Sequence, residues 1–140
     1  MMSSAIMKDD SKEIEQADLI EMDFLEKIMK RLPGDVDVLE ALGDLYTRVG
    51  RYEDGLAVDR KLVVLEPDDM TIWYNLGCSL ALLNQRDDAI KALQRAVELG
   101  YSDHEWMRRD NDLQSLREDK DFNKLLIQIT SPVPKSTPDF

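Results

Sequence analysis

The sequence has a single cysteine, Cys78, and a single histidine, His104. One cysteine excludes an intramolecular disulfide and any metal site built on several thiolates. The lone histidine lies in an acidic stretch beside Trp106, with no nucleophile or second ligand close in sequence, so its expected place is the surface or a capping segment. No glycine-rich phosphate loop is present. These absences argue against an enzyme, and no cofactor or metal is expected. Aromatics make up only 6%. β-branched runs are scarce while Leu, Ala, Glu, Lys and Arg are plentiful, which favours helix over strand. No apolar run approaches the roughly 20 residues of a membrane span. The opening MMSSAIMKDDSKE has no signal-peptide core, and the expected compartment is the cytoplasm. Positive charge is also short: 18 Lys and Arg face 29 Asp and Glu, a net charge of -11. Such a chain is repelled by phosphate backbones and anionic lipid, so neither nucleic acid nor membrane is an expected partner.

What the sequence does contain is an internal repeat. Shifted by 34 residues, Pro33 falls on Pro67, Asp35 on Asp69, Leu42-Gly43 on Leu76-Gly77, Asp54 on Asp88, and Leu65 on Leu99. A mid-helix glycine costs about 1 kcal/mol relative to alanine. Its recurrence at one phase implies a close approach of two helices, with Gly55 and Ala89 as the small partners opposite Gly43 and Gly77. Gly50 and Asn84 suit the left-handed residue that ends a helix. Asp35 and Asp69 suit N-caps, and Pro33 and Pro67 end the helices before them.

A 34-residue period with an aromatic, then Leu-Gly, then Tyr in the first helix, and small residues in the second, resembles the tetratricopeptide repeat. The two copies are residues 35–68 and 69–102. They place Leu39, Leu42-Gly43 and Tyr46, then Trp73, Leu76-Gly77 and Leu80, at the first-helix positions. Gly55 and Leu62, then Ala89 and Ala96, stand at the second-helix positions. The first copy departs at Asp59, where the family carries an aromatic, and the second has Tyr101 in place of the terminal proline. Upstream, Leu19, Met22, Leu25, Ile28, Met29 and Leu32 recur at helical spacing and end in phase at Pro33. This segment is read as a long helix in the place of a second repeat helix, its partner missing or unravelled. Downstream, Asp110, Asp112-Leu113, Leu116-Arg117, Asp119 and Phe122 resemble a closing motif that follows such repeats. Trp106, Leu113, Leu116, Phe122, Leu125, Leu126 and Ile129 are expected to cover the open end of the second copy. The resemblance implies an all-α, right-handed αα-superhelix. Residues 12–130 are its single domain, with a cap over 103–130, and residues 1–11 and 131–140 are expected to be irregular. The segment PVPKSTP in that tail is read as a frayed terminus, with a recognition peptide as the alternative.

The family likeness further implies a non-enzymatic adaptor that holds a partner peptide in a groove lined by first helices. Carried over by phase, the groove residues are Asp37, Glu40, Ala41, Asp44 and Arg48 of the first copy and Thr71, Tyr74, Asn75, Cys78 and Leu82 of the second. Glu105, Arg108 and Arg109 follow from a degenerate third. Asn75 matches a position where the family bonds a ligand backbone. The subclass that clamps acidic chaperone tails uses basic residues where this chain has Glu40 and Asp44, so a basic or basic-amphipathic peptide is expected instead. The alternatives are a self-assembly module and a chaperone for a secreted protein; the expected oligomeric state is a monomer or weak homodimer. Residues 110–121 carry acids at the first, third and last places of a calcium loop. Ser115 replaces the turn glycine and Asp121 the bidentate glutamate, which favours helix capping over calcium.

Overall fold

The computed structural model describes residues 2–130, with side chains from residue 16 onward. Every regular element among them is helical: α1 (Met2–Arg31), α2 (Val36–Arg48), α3 (Tyr52–Leu65), α4 (Met70–Leu82), α5 (Arg86–Glu98), α6 (His104–Arg109), a 3-10 helix (Asn111–Leu116) and α7 (Lys120–Thr130). The expected irregular start is helical from Met2. No glycine or proline interrupts the chain before Pro33, so the helix that ends there extends back unbroken. The tail and its PVPKSTP lie outside the described residues.

The turn chemistry agrees with the sequence. Asp35 caps α2 by accepting from the Val38 amide at 3.0 Å, and Asp69 caps α4 by accepting from Thr71 and Ile72 at 2.9 and 3.3 Å. Gly50 and Asn84 have φ of 86° and 61°, the left-handed region that stops a helix.

The single expected domain resolves into two compact units, Met1–Leu65 and Glu66–Phe140. In the first, α2 packs against α1 and α3 around Leu39, Leu42, Tyr46, Val58 and Leu62. In the second, α4 packs against α5 and the 3-10 helix, and α7 against α5 and α6, around Ile72, Leu93, Met107, Leu113 and Phe122. Each helix pair closes over its own core through a short turn, which keeps its contacts local.

The mid-helix glycines mark the close approach, with a corrected partner. A methyl on Gly77 would stand 2.7 Å from the Leu93 side chain, and one on Gly43 would stand 3.3 Å from the Asp59 carboxylate. Asp59 and Leu93 are themselves one repeat apart, so the same seat is filled by different chemistry in each copy. A methyl on Gly77 would also stand 3.3 Å from the Ala89 carbonyl, and one on Gly55 would stand 3.8 Å from the Gly43 carbonyl. The small residues therefore admit backbone, while the side chain opposite each glycine is Asp59 or Leu93.

Candidate functional site

In the first unit, α2 presents Asp37, Glu40 and Asp44 to solvent with Ala41 half-buried between them. Spacings of three and four residues place the acids along one side of the helix. Arg48 lies a turn further on and bonds Asp44 at 2.8 Å and Asp18 of α1 at 3.0 Å. It is thus a tether between α1 and α2 rather than an open cation. Tyr46 donates to Glu26 of α1, and the Arg51 guanidinium stands 5.0 Å from the Tyr46 ring centre. These contacts hold α1 on the flank of α2.

In the second unit, α4 separates the expected groove residues into two sets. Thr71 and Asn75 are exposed and Leu82 is half-buried. Tyr74 and Cys78 are only 4% and 7% exposed, so they form no open floor for a ligand. The Tyr74 hydroxyl donates to Asp110 at 2.7 Å, and the Cys78 thiol to the same oxygen at 3.7 Å. Tyr101 stacks on Tyr74 with ring centres 4.5 Å apart. Asp110 also accepts from the Asp112 amide at 3.0 Å, and its carbonyl accepts from Arg117 at 3.2 Å. The closing segment therefore seals this face of α4. Burial, then the charges of Asp110 and Asp112, push the Cys78 thiol up, which keeps it protonated and unreactive. Burial lifts Tyr74 well above the tyrosine range and Tyr101 to about 12. Burial, with Asp110 beside it, also raises Asp112.

The sequence pattern missed Asp110 as the anchor of this cluster. It was legible as a motif residue, but its partners come from α4, 32 and 36 residues away. The phase of α6 is also corrected. Met107 is fully buried and Trp106 is 50% exposed. Asp103 caps α6 through the Trp106 amide and so turns Met107 inward. Glu105, Arg108 and Arg109 are exposed on α6. Asp119 and Asp121 of this segment serve in a cap and in ion pairs. Asp119 accepts from the Asp121 and Phe122 amides at 2.8 and 3.1 Å and pairs with Arg86, which also holds Asp121 at 3.0 Å. Among the described residues no helix is long and apolar enough to cross a membrane.

The tetratricopeptide-repeat sequence model matches residues 71–102, the span of the second copy bar its first two residues. A chloroplastic protein of Arabidopsis thaliana is 31% identical over 109 residues, covering 76% of this chain and 32% of that protein. The peroxisomal targeting signal receptor of Eremothecium gossypii is 35% identical over 65 residues, covering 46% of this chain and 11% of the receptor. The chain thus spans only a minor part of the curated relatives it matches. The crystal structure of MamA superposes with a TM-score of 0.67 at 25% identity, covering 86% of this chain and 68% of that one. A 34-residue phase, paired helices meeting at Gly43 and Gly77, and these likenesses make the chain a member of the tetratricopeptide-repeat family.

Proposed function

We propose that this chain is a non-enzymatic adaptor whose α2 face receives a basic or basic-amphipathic segment of a partner protein. Domains of this repeat family generally act in protein–protein interaction. The observation that carries the finer reading is the exposed row of Asp37, Glu40 and Asp44, beside half-buried Ala41, on a first helix of the repeat. A Lys or Arg flanking a small apolar anchor complements that row. Thr71 and Asn75 offer a polar face on α4, where the Asn75 amide both donates and accepts. Tyr74 and Cys78 are not part of the reading, since the closing segment covers them. The fungal relative is by name a receptor for a targeting signal, which is in keeping with peptide capture. The Arabidopsis relative is chloroplastic by name, so the cytoplasm expected from the sequence is not the compartment of that relative.

Exposed ion pairs contribute only about 0.2–1 kcal/mol each, so the acidic row governs association rate and salt sensitivity more than final affinity. The test is selection of a displayed peptide library on the full chain, repeated with Glu40→Lys/Asp44→Lys. Peptides rich in Lys and Arg should be enriched, bind less well as salt rises, and be lost on the variant. An enriched pool without basic character, or one that the variant retains, would sink the reading.

A further inference from the structure

The two copies of the repeat differ in how the charges on their second helices are matched. Towards the C-terminal end of α3, Pro33, Gly34, Arg60, Lys61, Val64 and Leu65 line an open hollow of about 350 Å³. Val64 is 78% exposed and Leu65 41%, and Arg60 and Lys61 are exposed beside them. Neither base makes an ion pair among the described residues. Of the acids close in sequence, Asp35 is the N-cap of α2, Asp59 lies in the core against Gly43, and Glu66 pairs with neither base. The α3 dipole does not account for the two bases, because its effect falls off within the last turn and that turn holds no base.

The second copy shows what a base at this position is matched with. Shifted by 34 residues, Lys61 falls on Arg95, Gly34 on Asp68 and Val64 on Glu98. Arg95 pairs with Glu98 at 3.2 Å and with Asp68 at 4.0 Å. The base of the second copy thus has carboxylates of its own on both sides. The first copy has glycine and valine at the places of those acids, so Lys61 is left without either. Arg60, at the place of Gln94, adds another unmatched cation. Gly34 leaves room as well as charge, since nothing stands within 4 Å of where its Cβ would be. In a chain of net charge -11, unmatched bases beside an exposed valine are a local reversal of sign.

We propose that this hollow binds a short acidic segment of a partner protein, whose carboxylates supply the charge that Asp68 and Glu98 supply in the second copy. Those carboxylates meet Arg60 and Lys61, and an apolar side chain next to them covers Val64 and Leu65. The occupant is narrow. An extended polyanion or an anionic bilayer also meets the rest of a strongly acidic chain and is repelled by it, whereas a short segment meets only the hollow. This ligand is opposite in charge to the one proposed for the acidic row on α2, and the inference does not rest on that reading.

The test selects displayed short peptides that bind the full chain and are lost on Gly34→Asp/Val64→Glu. That variant gives the first copy the acids of the second and leaves both bases in place. Basic ligands of the α2 row are not lost on it, so failure here and failure of that reading are told apart. Arg60→Glu/Lys61→Glu is the second variant. All the substituted positions are exposed, and Gly34 has no positive φ. Circular dichroism confirms both folds, and either variant alone serves for the selection should the other unfold. The selected peptides should carry Asp or Glu beside an apolar residue and bind less well as salt rises. Each variant should weaken them roughly tenfold, through the loss of exposed charge contacts and the repulsion that replaces them. Glu40→Lys/Asp44→Lys should retain them. An empty pool, a pool without acidic character, or one that Arg60→Glu/Lys61→Glu retains overturns the proposal. So does a concentration-dependent mass in sedimentation that both variants abolish while no peptide binds, since that result assigns the hollow to a second copy of the chain. Flotation with phosphatidylserine vesicles that both variants abolish, again with no peptide bound, overturns it in favour of lipid.

Discussion

Gly55 and Gly77 are both helical glycines one turn or so from a helix contact, yet their surroundings set opposite signs for the same substitution. A methyl on Gly55 meets Thr47 Oγ1 at 3.4 Å and Tyr46 Cβ at 3.6 Å, ordinary van der Waals contacts. Gly55→Ala should therefore raise stability by about 0.5–1 kcal/mol through helix propensity and a less disordered unfolded chain. A methyl on Gly77 meets Leu93, a fully buried side chain, at 2.7 Å. Overpacking of about 1–3 kcal/mol outweighs the roughly 1 kcal/mol gained in propensity, so Gly77→Ala should lower stability. Urea midpoints of the two variants check the pair; a shift of the same sign in both would contradict the contact geometry. The recurrence of glycine at a 34-residue phase was enough to locate this approach. It was not enough to identify what lies opposite, because Asp59 and Leu93 share a position without sharing chemistry, and a shift of the sequence against itself scores only likeness.

At the scale of elements, the caps and turns were legible because their causes are local. Asp35, Asp69, Gly50 and Asn84 each act within a few residues of themselves. The closing segment was legible as a motif but its function was not, because Asp110 acts on α4 through the fold. Asp110 bonds Tyr74 and Cys78, and the 3-10 helix that follows it packs on α4, which is why two residues assigned to a groove by phase are buried. That seal has a pH signature. Tyr101 is raised from 10.0 to about 12 by burial, and Tyr74 is raised further by burial, by Cys78 and by its bond to Asp110. The folded state thus holds these phenolic protons more tightly than the unfolded state does. Their stabilisation is complete below about pH 10; that of Tyr101 is lost as pH rises through about 12, and that of Tyr74 goes on being lost at still higher pH. Thermal unfolding followed across that window should show a steep alkaline fall, shallower in Tyr101→Phe and in Tyr74→Phe. Tyr46, raised by burial and Glu26 in the first unit, leaves a residual slope in both variants. An alkaline fall that neither substitution changes would place its cause elsewhere.

For the whole molecule, the repeat family and the all-helical class were legible from one displacement of the sequence, since a period reports the packing unit directly. The division into two units was not, because the 34-residue phase runs through both without marking where local cores close. That division implies a distribution of stability. Each unit has its own buried side chains, and its helix hydrogen bonds are satisfied internally, so opening of one need not open the other. Phe122 is 1% exposed in the core of the second unit. Phe122→Ala removes a full aromatic side chain and should destabilise that unit by about 3–5 kcal/mol. Native-state hydrogen exchange should then show faster exchange throughout α4, α5 and α7, while α2 and α3 keep wild-type protection. Equal acceleration in α2 and α3 would show that the two cores open together and that the repeats share one cooperative unit. Because the acidic row on α2 belongs to the first unit, the same variant should also retain the basic-peptide binding proposed for that row at temperatures where the second unit has already opened.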